Sequence, residues 1–193
     1  MRKRALGALA LLGLATGLAP QAVRARDGGA YPLACRDVHA DFARHEGCAR
    51  RAGDFVRIDP TRLARMPFRG GVTEIVVDGI GVLWSRRDGL ALPVFSLDNG
   101  PDPFAQGLVR ARHASKVAFH DRRLRRVLAT DFDWSFPFNA RGEALVCRGC
   151  RSDGCQPAAM VGGRWGLIDR RGLLTRPLAE GQGAARRYFD WPR

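Results

Sequence analysis

The residues best equipped for chemistry are the five cysteines, and they fall into two groups. Cys35, His39, His45 and Cys48 place four zinc-ligand types within 14 residues. Structural zinc asks for four such ligands in a tetrahedron. The spacing is not that of a zinc finger, because both arms mix Cys with His. The competing reading is a plain Cys35–Cys48 disulfide, which closes a small loop and contributes about 3 kcal/mol by the loop-entropy model. Cys147, Cys150 and Cys155 form the second group. They admit one disulfide plus a free thiol, a redox Cys-x-x-Cys pair, or a metal site. A redox pair sits at a helix N-terminus, where the thiol pKa is lowered. Here "ALVCRGCRSDGC" runs from an apolar strand into a Gly-rich loop, although Arg148 and Arg151 favour a thiolate. A zinc ribbon requires a second Cys-x-x-Cys, which is absent, so His113 or His120 would have to supply the fourth ligand. Pairing within each group leaves one cysteine over.

Other chemistry is weakly signalled. No Gly-x-Ser-x-Gly, His-Glu-x-x-His or phosphate-cradling Gly loop occurs. His113 and His120 have no carboxylate placed beside them by position. Asp98, Asn99 and Asp102 carry calcium-ligand types, but the spacing fits no calcium loop and Asn99-Gly100 is a turn signal. "HDRRLRRVL", His120 to Leu128, is a dense basic stretch. As a hairpin arm it puts Arg122 and Arg123 at the turn. Arg125 and Arg126 then fall on opposite faces of the next strand and cannot share a patch. It reads as a solvated turn, with lipid headgroups or acidic glycans as its alternative contacts. No catalytic, cofactor-binding or metal residue is assigned on these grounds.

The elements that must position these groups begin with an address label. Arg2, Lys3 and Arg4 precede an uncharged Leu/Ala-rich run, Ala5 to Ala19, and Val23-Arg24-Ala25 offers a small residue at a cut point. That is the layout of a secretory signal peptide over residues 1–25. The apolar run is shorter than the roughly 20 residues of a membrane span, so no transmembrane segment is expected after cleavage. Export favours disulfides over free thiols. The 193-residue chain carries +13, of which the signal holds four charges, leaving about +9. Lys3 and Lys116 are the only lysines among 32 basic residues. A basic exported surface suits an anionic envelope component or an acidic envelope protein. Nucleic acid is excluded by export and by the lack of a recognition motif.

After the signal, residues 26–70 read as a Cys-bridged lead-in segment. "CRDVHADFARHEGCARRAG" is expected to form a short helix limited by Gly47 and Gly53, with Val38, Phe42 and His45 on one side, or an irregular stretch. From Val72 the texture turns β: "VTEIVVDGIGVLWS" is a strand–turn–strand with Asp78-Gly79 at the turn. A further turn stands at Asp88-Gly89, and "GLVRARHASKVAFHD" reads as another strand pair. The fold class is mainly β, built from antiparallel hairpins.

The chain also repeats. "VLWSRRDG" (82–89), "VAFHDRRL" (117–124) and "WGLIDRRG" (165–172) share three small or apolar positions, a variable one, a charged triplet and a closing turn position. A weaker pair is "PDPFAQGLVRA" (101–111) with "FPFNARGEALV" (136–146). Self-similarity at spacings of 35 and 48 residues signals a repeat architecture. "GGRWGLIDRRGLLTRPL" resembles the bacterial WG repeat, through Gly163, Trp165, Gly166, Leu167, Ile168, Asp169, Gly172 and Pro177. The two earlier copies lack the Trp-Gly pair. "LVCRGC" is similar to a Cys-x-x-Cys in some exported relatives of that family. The resemblance covers about residues 72–178. It implies a β-repeat fold and interaction with other molecules, and no enzyme activity.

Residue types agree with that pattern. Trp165 is expected to be a buried plug. Leu167 and Ile168 should lie on opposite faces of one strand. Asp169 to Gly172 should make a tight turn with Gly172 at positive φ. Residues 71–178 are read as the repeat domain and 179–193 as a tail. The functional expectation is a non-enzymatic exported binding module at the cell envelope, periplasmic or secreted. The alternative is a redox or metal-binding envelope protein using Cys147, Cys150 and Cys155.

Overall fold

In the computed structural model, residues 31–97, 100–155 and 159–187 are described. The expected signal peptide lies outside them, as do Asp98, Asn99 and the end of the tail.

The chain is mainly β and its sheets are antiparallel. β1 (Leu33–Asp37), β2 (Ala43–Ala52) and β3 (Phe55–Ile58) make one ribbon. A short helix, α1 (Pro60–Leu63), follows, capped by the Asp59 carboxylate, which accepts from Thr61 N at 2.9 Å. β4 (Val72–Val77), β5 (Gly81–Arg86) and β6 (Leu90–Pro93) make a second ribbon. The two ribbons close on each other into a six-stranded barrel, ordered β1-β2-β3-β6-β5-β4. Alternating residues such as Val56, Ile58, Ile75, Val77 and Leu83 fill it, with Leu63 packed against them.

Two expectations are corrected here. The stretch from Cys35 to Cys48 is a strand–turn–strand, not a helix. Asp41, Phe42 and Gly47 take left-handed φ of 50°, 55° and 62°, which a helix excludes. Phe42, placed on the helix's apolar side, is exposed at the turn, while pairing with β1 and β3 buries Cys48 and Ala49 in the barrel. The boundary at residue 70 is also not a structural divide. Each ribbon alone would leave two unpaired edges, and closure removes all four by pairing β1 with β4 and β3 with β6.

A ribbon of β7 (Ser96–Leu97) and β8 (Gly100–Pro101) leads out of the barrel. β9 (Val109–His113), β10 (Lys116–His120) and β11 (Arg126–Ala129) form a three-stranded sheet. β12 (Trp134–Ser135), β13 (Glu143–Arg148), β16 (Arg164–Asp169) and β17 (Leu174–Glu180) form a four-stranded sheet. β14 (Arg151–Ser152) pairs with β15 (Met160–Val161), and α2 (Gln182–Arg186) buries Ala185 against Trp165 and Leu167. Among the described residues, no helix is long and apolar enough to cross a membrane.

The three aligned copies fall on three equivalent hairpin ends. In each, the amide at the closing position returns to the carbonyl three residues back: Gly89 to Arg86 at 3.0 Å, Leu124 to Asp121 at 2.8 Å, Gly172 to Asp169 at 2.9 Å. Each closing residue has positive φ, at 83°, 60° and 83°. Asp121 and Asp169 brace their turns identically, each Oδ1 accepting from the amides two and four residues on. A fourth hairpin has the same frame, with Asn139 in the Asp position and Gly142 closing at φ 74°. The stretch aligned with it, "PDPFAQGLVRA", turns differently: Ala105 and Leu108 bridge across a two-residue loop.

The Trp-Gly signature is packed as its residue types require. Trp165 is fully buried and donates Nε1–H to the Gly162 carbonyl at 2.7 Å. Leu167 faces the same cluster as Trp165, and Ile168 faces the cluster on the other side of the sheet. Gly163 cannot be anything larger: a Cβ there would lie 2.5 Å from Cys150 N and 2.7 Å from Arg148 O.

Candidate binding site

The cysteines resolve into two staples. Cys35 is bonded to Cys48, and Cys147 to Cys150. Cys35, Cys48 and Cys147 have no exposed surface. Cys155 is a free, exposed thiol. Two disulfides fit an oxidising compartment. With its thiols joined, the Cys35/His39/His45/Cys48 set lacks the thiolates a zinc site uses, and His39 Nε2 lies 3.3 Å from Thr73 Oγ1 instead. Cys147 lies near the end of β13 and Cys150 directly after the bend that follows it. Among the described residues no three His, Cys, Asp or Glu side chains converge.

Asp102, the calcium-type residue within the described chain, is buried in an ion pair. Its carboxylate receives Arg110 Nε at 2.8 Å and Nη2 at 2.7 Å, and Arg110 Nη1 donates to the Ser135 carbonyl. Phe95 and Trp134 rings flank that guanidinium at 5.1 and 5.5 Å. This group is architecture: it joins the barrel's exit loop, β9 and β12.

The basic stretch 120–128 is where the structure builds a cleft. Leu124, at the tip of the β10–β11 turn, is 1% exposed and plugs a cluster with Val72, Leu92 and Val109. It therefore docks the three-stranded sheet onto the barrel. On one side of this plug lies a cleft of about 510 Å³. Its walls include Arg86 from β5, Arg112 and His113 from β9, His120 from β10, and Arg123, Arg125 and Arg126 from the turn. Arg125 and Arg126 do share this surface, against the expectation from strand alternation. Arg125 belongs to the turn, held by Asp121 through both its amide and its guanidinium, so the two-residue period begins after it.

Acidic groups offset part of this charge. Arg86 pairs with Asp88 at 2.6 Å, Arg125 with Asp121 at 2.7 Å, and His113 Nδ1 with Asp54. Arg123 and Arg126 have no side-chain hydrogen bond or ion pair among the described residues. At the back of the cleft His120 is 4% exposed, edge-on to Phe55, and its Nδ1 is buried without a hydrogen-bond partner. Burial pushes the His120 pKa down to about 4, and Arg126 adds to that; Asp121 opposes it. The ring is thus neutral at pH 7.

Sequence reasoning found the turn arginines but not Arg86, Arg112 or Asp54, which arrive from three other hairpins. Barrel closure and the docking of the three-stranded sheet onto the barrel bring them together, and no local pattern encodes either. No known family model matches the chain, and no curated protein or solved structure matches it either.

Proposed function

We propose that this chain is a non-enzymatic, exported binding protein of the cell envelope, built from WG-type β-repeats, that holds an anionic group in the cleft of Arg123 and Arg126. The observation that carries this reading is the cleft's uncompensated charge. Two unpaired guanidinia face it, and its floor is a buried imidazole with an unmet polar atom. The repeat assignment is supported by the hairpins that share one hydrogen-bond frame, and export is supported by the two disulfides.

Arg123 and Arg126 are exposed, so each contact with an anion is worth only about 0.2–1 kcal/mol and is screened by salt. The chemistry fits a phosphate or carboxylate group presented several times along a polymer or surface, where weak contacts add. Polyphosphate and vesicles containing phosphatidylglycerol distinguish a soluble polymer from a lipid headgroup. Binding to either that weakens with salt, and weakens roughly threefold to tenfold in R123A/R126A, is the expected result. Equal binding by the double variant would sink this reading.

A further inference from the structure

A second cleft of about 520 Å³ shares no lining residue with the first, and its chemistry differs. That volume falls in the range of roughly 300–1,000 Å³ that small-molecule sites occupy. Two aromatic rings contribute to its wall. Trp84, on β5, and Phe104, in the loop after β8, have centroids 5.7 Å apart at 45°. Trp84 gives its one N–H to the Asp102 carbonyl at 2.9 Å, so the indole is anchored at its polar end and offers the cleft only apolar surface. Arg122 covers the Phe104 ring at 4.5 Å, and Arg69 stands nearby in the lining. Glu74, on β4, lines the same space, and its carboxylate has no hydrogen bond or ion pair among the described residues. Burial raises its pKa, against the opposing pull of His39.

A half-buried carboxyl that shares its cleft with Arg69 and Arg122 and pairs with neither is an acceptor left open. The cleft thus offers an apolar aromatic wall, one free acceptor, and guanidinium donors around one volume. A cationic ligand meets two arginines there, and a simple anion meets Glu74. A polyhydroxylated ring meets neither penalty. Its C–H face lies on the aromatic wall, its hydroxyl hydrogens go to Glu74 and its hydroxyl oxygens accept from arginine. The geometry points to a saccharide-binding site at Trp84, Phe104, Glu74 and Arg122, separate from the arginine cleft and independent of its ligand.

The test titrates the oxidised chain with chitotriose and maltotriose, two neutral oligosaccharides, following intrinsic tryptophan fluorescence. A saturable change below about 10 mM, a range fit for a single weak site, is expected for at least one of them. Glu74→Ala and Arg122→Ala should each weaken it at least fivefold while retaining the wild-type unfolding midpoint. R123A/R126A should bind sugar as the wild type does. Anion binding that is absent from the wild type, or unchanged in R123A/R126A, with sugar binding intact would overturn the first reading and leave this one. No saturation with either sugar overturns the site assignment, as does saturation that Glu74→Ala and Arg122→Ala leave unchanged. Binding of a polyproline peptide in place of sugar, lost in Glu74→Ala, overturns the saccharide assignment in favour of a peptide groove.

Discussion

Asp102 and Arg110 form a two-pronged ion pair with 0% and 1% of their side chains exposed. Removing water from both charges is costly, and the pair stands because almost every polar atom finds a partner. Taking away one member leaves the other charged in an apolar seam. Asp102→Ala is therefore expected to destabilise the chain by about 3–5 kcal/mol. An apolar double replacement, D102L/R110M, should cost less than that single change. Urea unfolding of both variants checks it. Equal losses would mean the seam depends on the pair itself and not on charge balance.

Leu124 takes the turn position that Gly89, Gly142 and Gly172 hold elsewhere. A left-handed conformation costs a residue with a side chain about 1–2 kcal/mol. Burial of the leucine offsets it by about 1.5–3 kcal/mol. Leu124→Gly should consequently destabilise by about 0.5–1 kcal/mol, through loosened docking of the three-stranded sheet. Gly172→Ala lacks any such return, and its Cβ would lie 2.8 Å from Leu128 Cδ1. It should cost about 1–2 kcal/mol. Gly163→Ala should cost more, because backbone atoms, not a flexible side chain, stand in the way. Thermal unfolding ranks the three.

These turns show where the sequence is legible. Asp169 and Asp121 write their hairpins locally, because a carboxylate brackets the turn's own amides. Trp165 announces itself as a plug by size alone. The Asn139 turn was legible too, but its Pro-Phe prefix draws the alignment to residues 101–111 instead. Barrel closure was not legible. Nothing in Val76 or Cys35 states that β4 pairs with β1, since edge pairing uses backbone groups that every residue has. Both clefts inherit that silence, being made where the closed barrel meets the second sheet. The basic run near Arg123 was visible as charge, and its being half of a cleft wall depends on Leu124 turning inward.

His120 should leave a signature in acid. Its folded pKa of about 4 lies below the ordinary 6.5. Between those values the unfolded chain binds the proton and the native chain does not. Stability from this group is complete above pH 6.5 and drains as pH falls toward 4, by roughly 2–3 kcal/mol. Asp121 and Asp133, whose pKa values are lowered by Arg125 amide and guanidinium contacts and by Lys116 respectively, act in a lower window, below the usual carboxylate range. His120→Gln should flatten the stability curve between pH 6.5 and 4 and leave the steeper fall below it. Parallel curves for the two proteins would show that the imidazole titrates as it does in water.

The cysteines give the most direct check. Cys155 is exposed and free, while the other four are joined in pairs within their own groups. Native intact mass after alkylation should show one modified thiol, and five after reduction and unfolding. Cys155→Ser should abolish the first modification without moving the unfolding midpoint, because the side chain is exposed and its hydrogen bond to Asp153 is one a serine hydroxyl can also make. Cys35→Ala/Cys48→Ala should cost about 3 kcal/mol, mostly through the freed unfolded chain. The same spectra report metal. Bound zinc, or several thiols that react before any reductant is added, would overturn the stapled architecture. The alternative would then gain ground, because Cys147 and Cys150 would be open to exchange with Cys155, and their cluster would be a redox or metal site in place of a brace beneath Trp165.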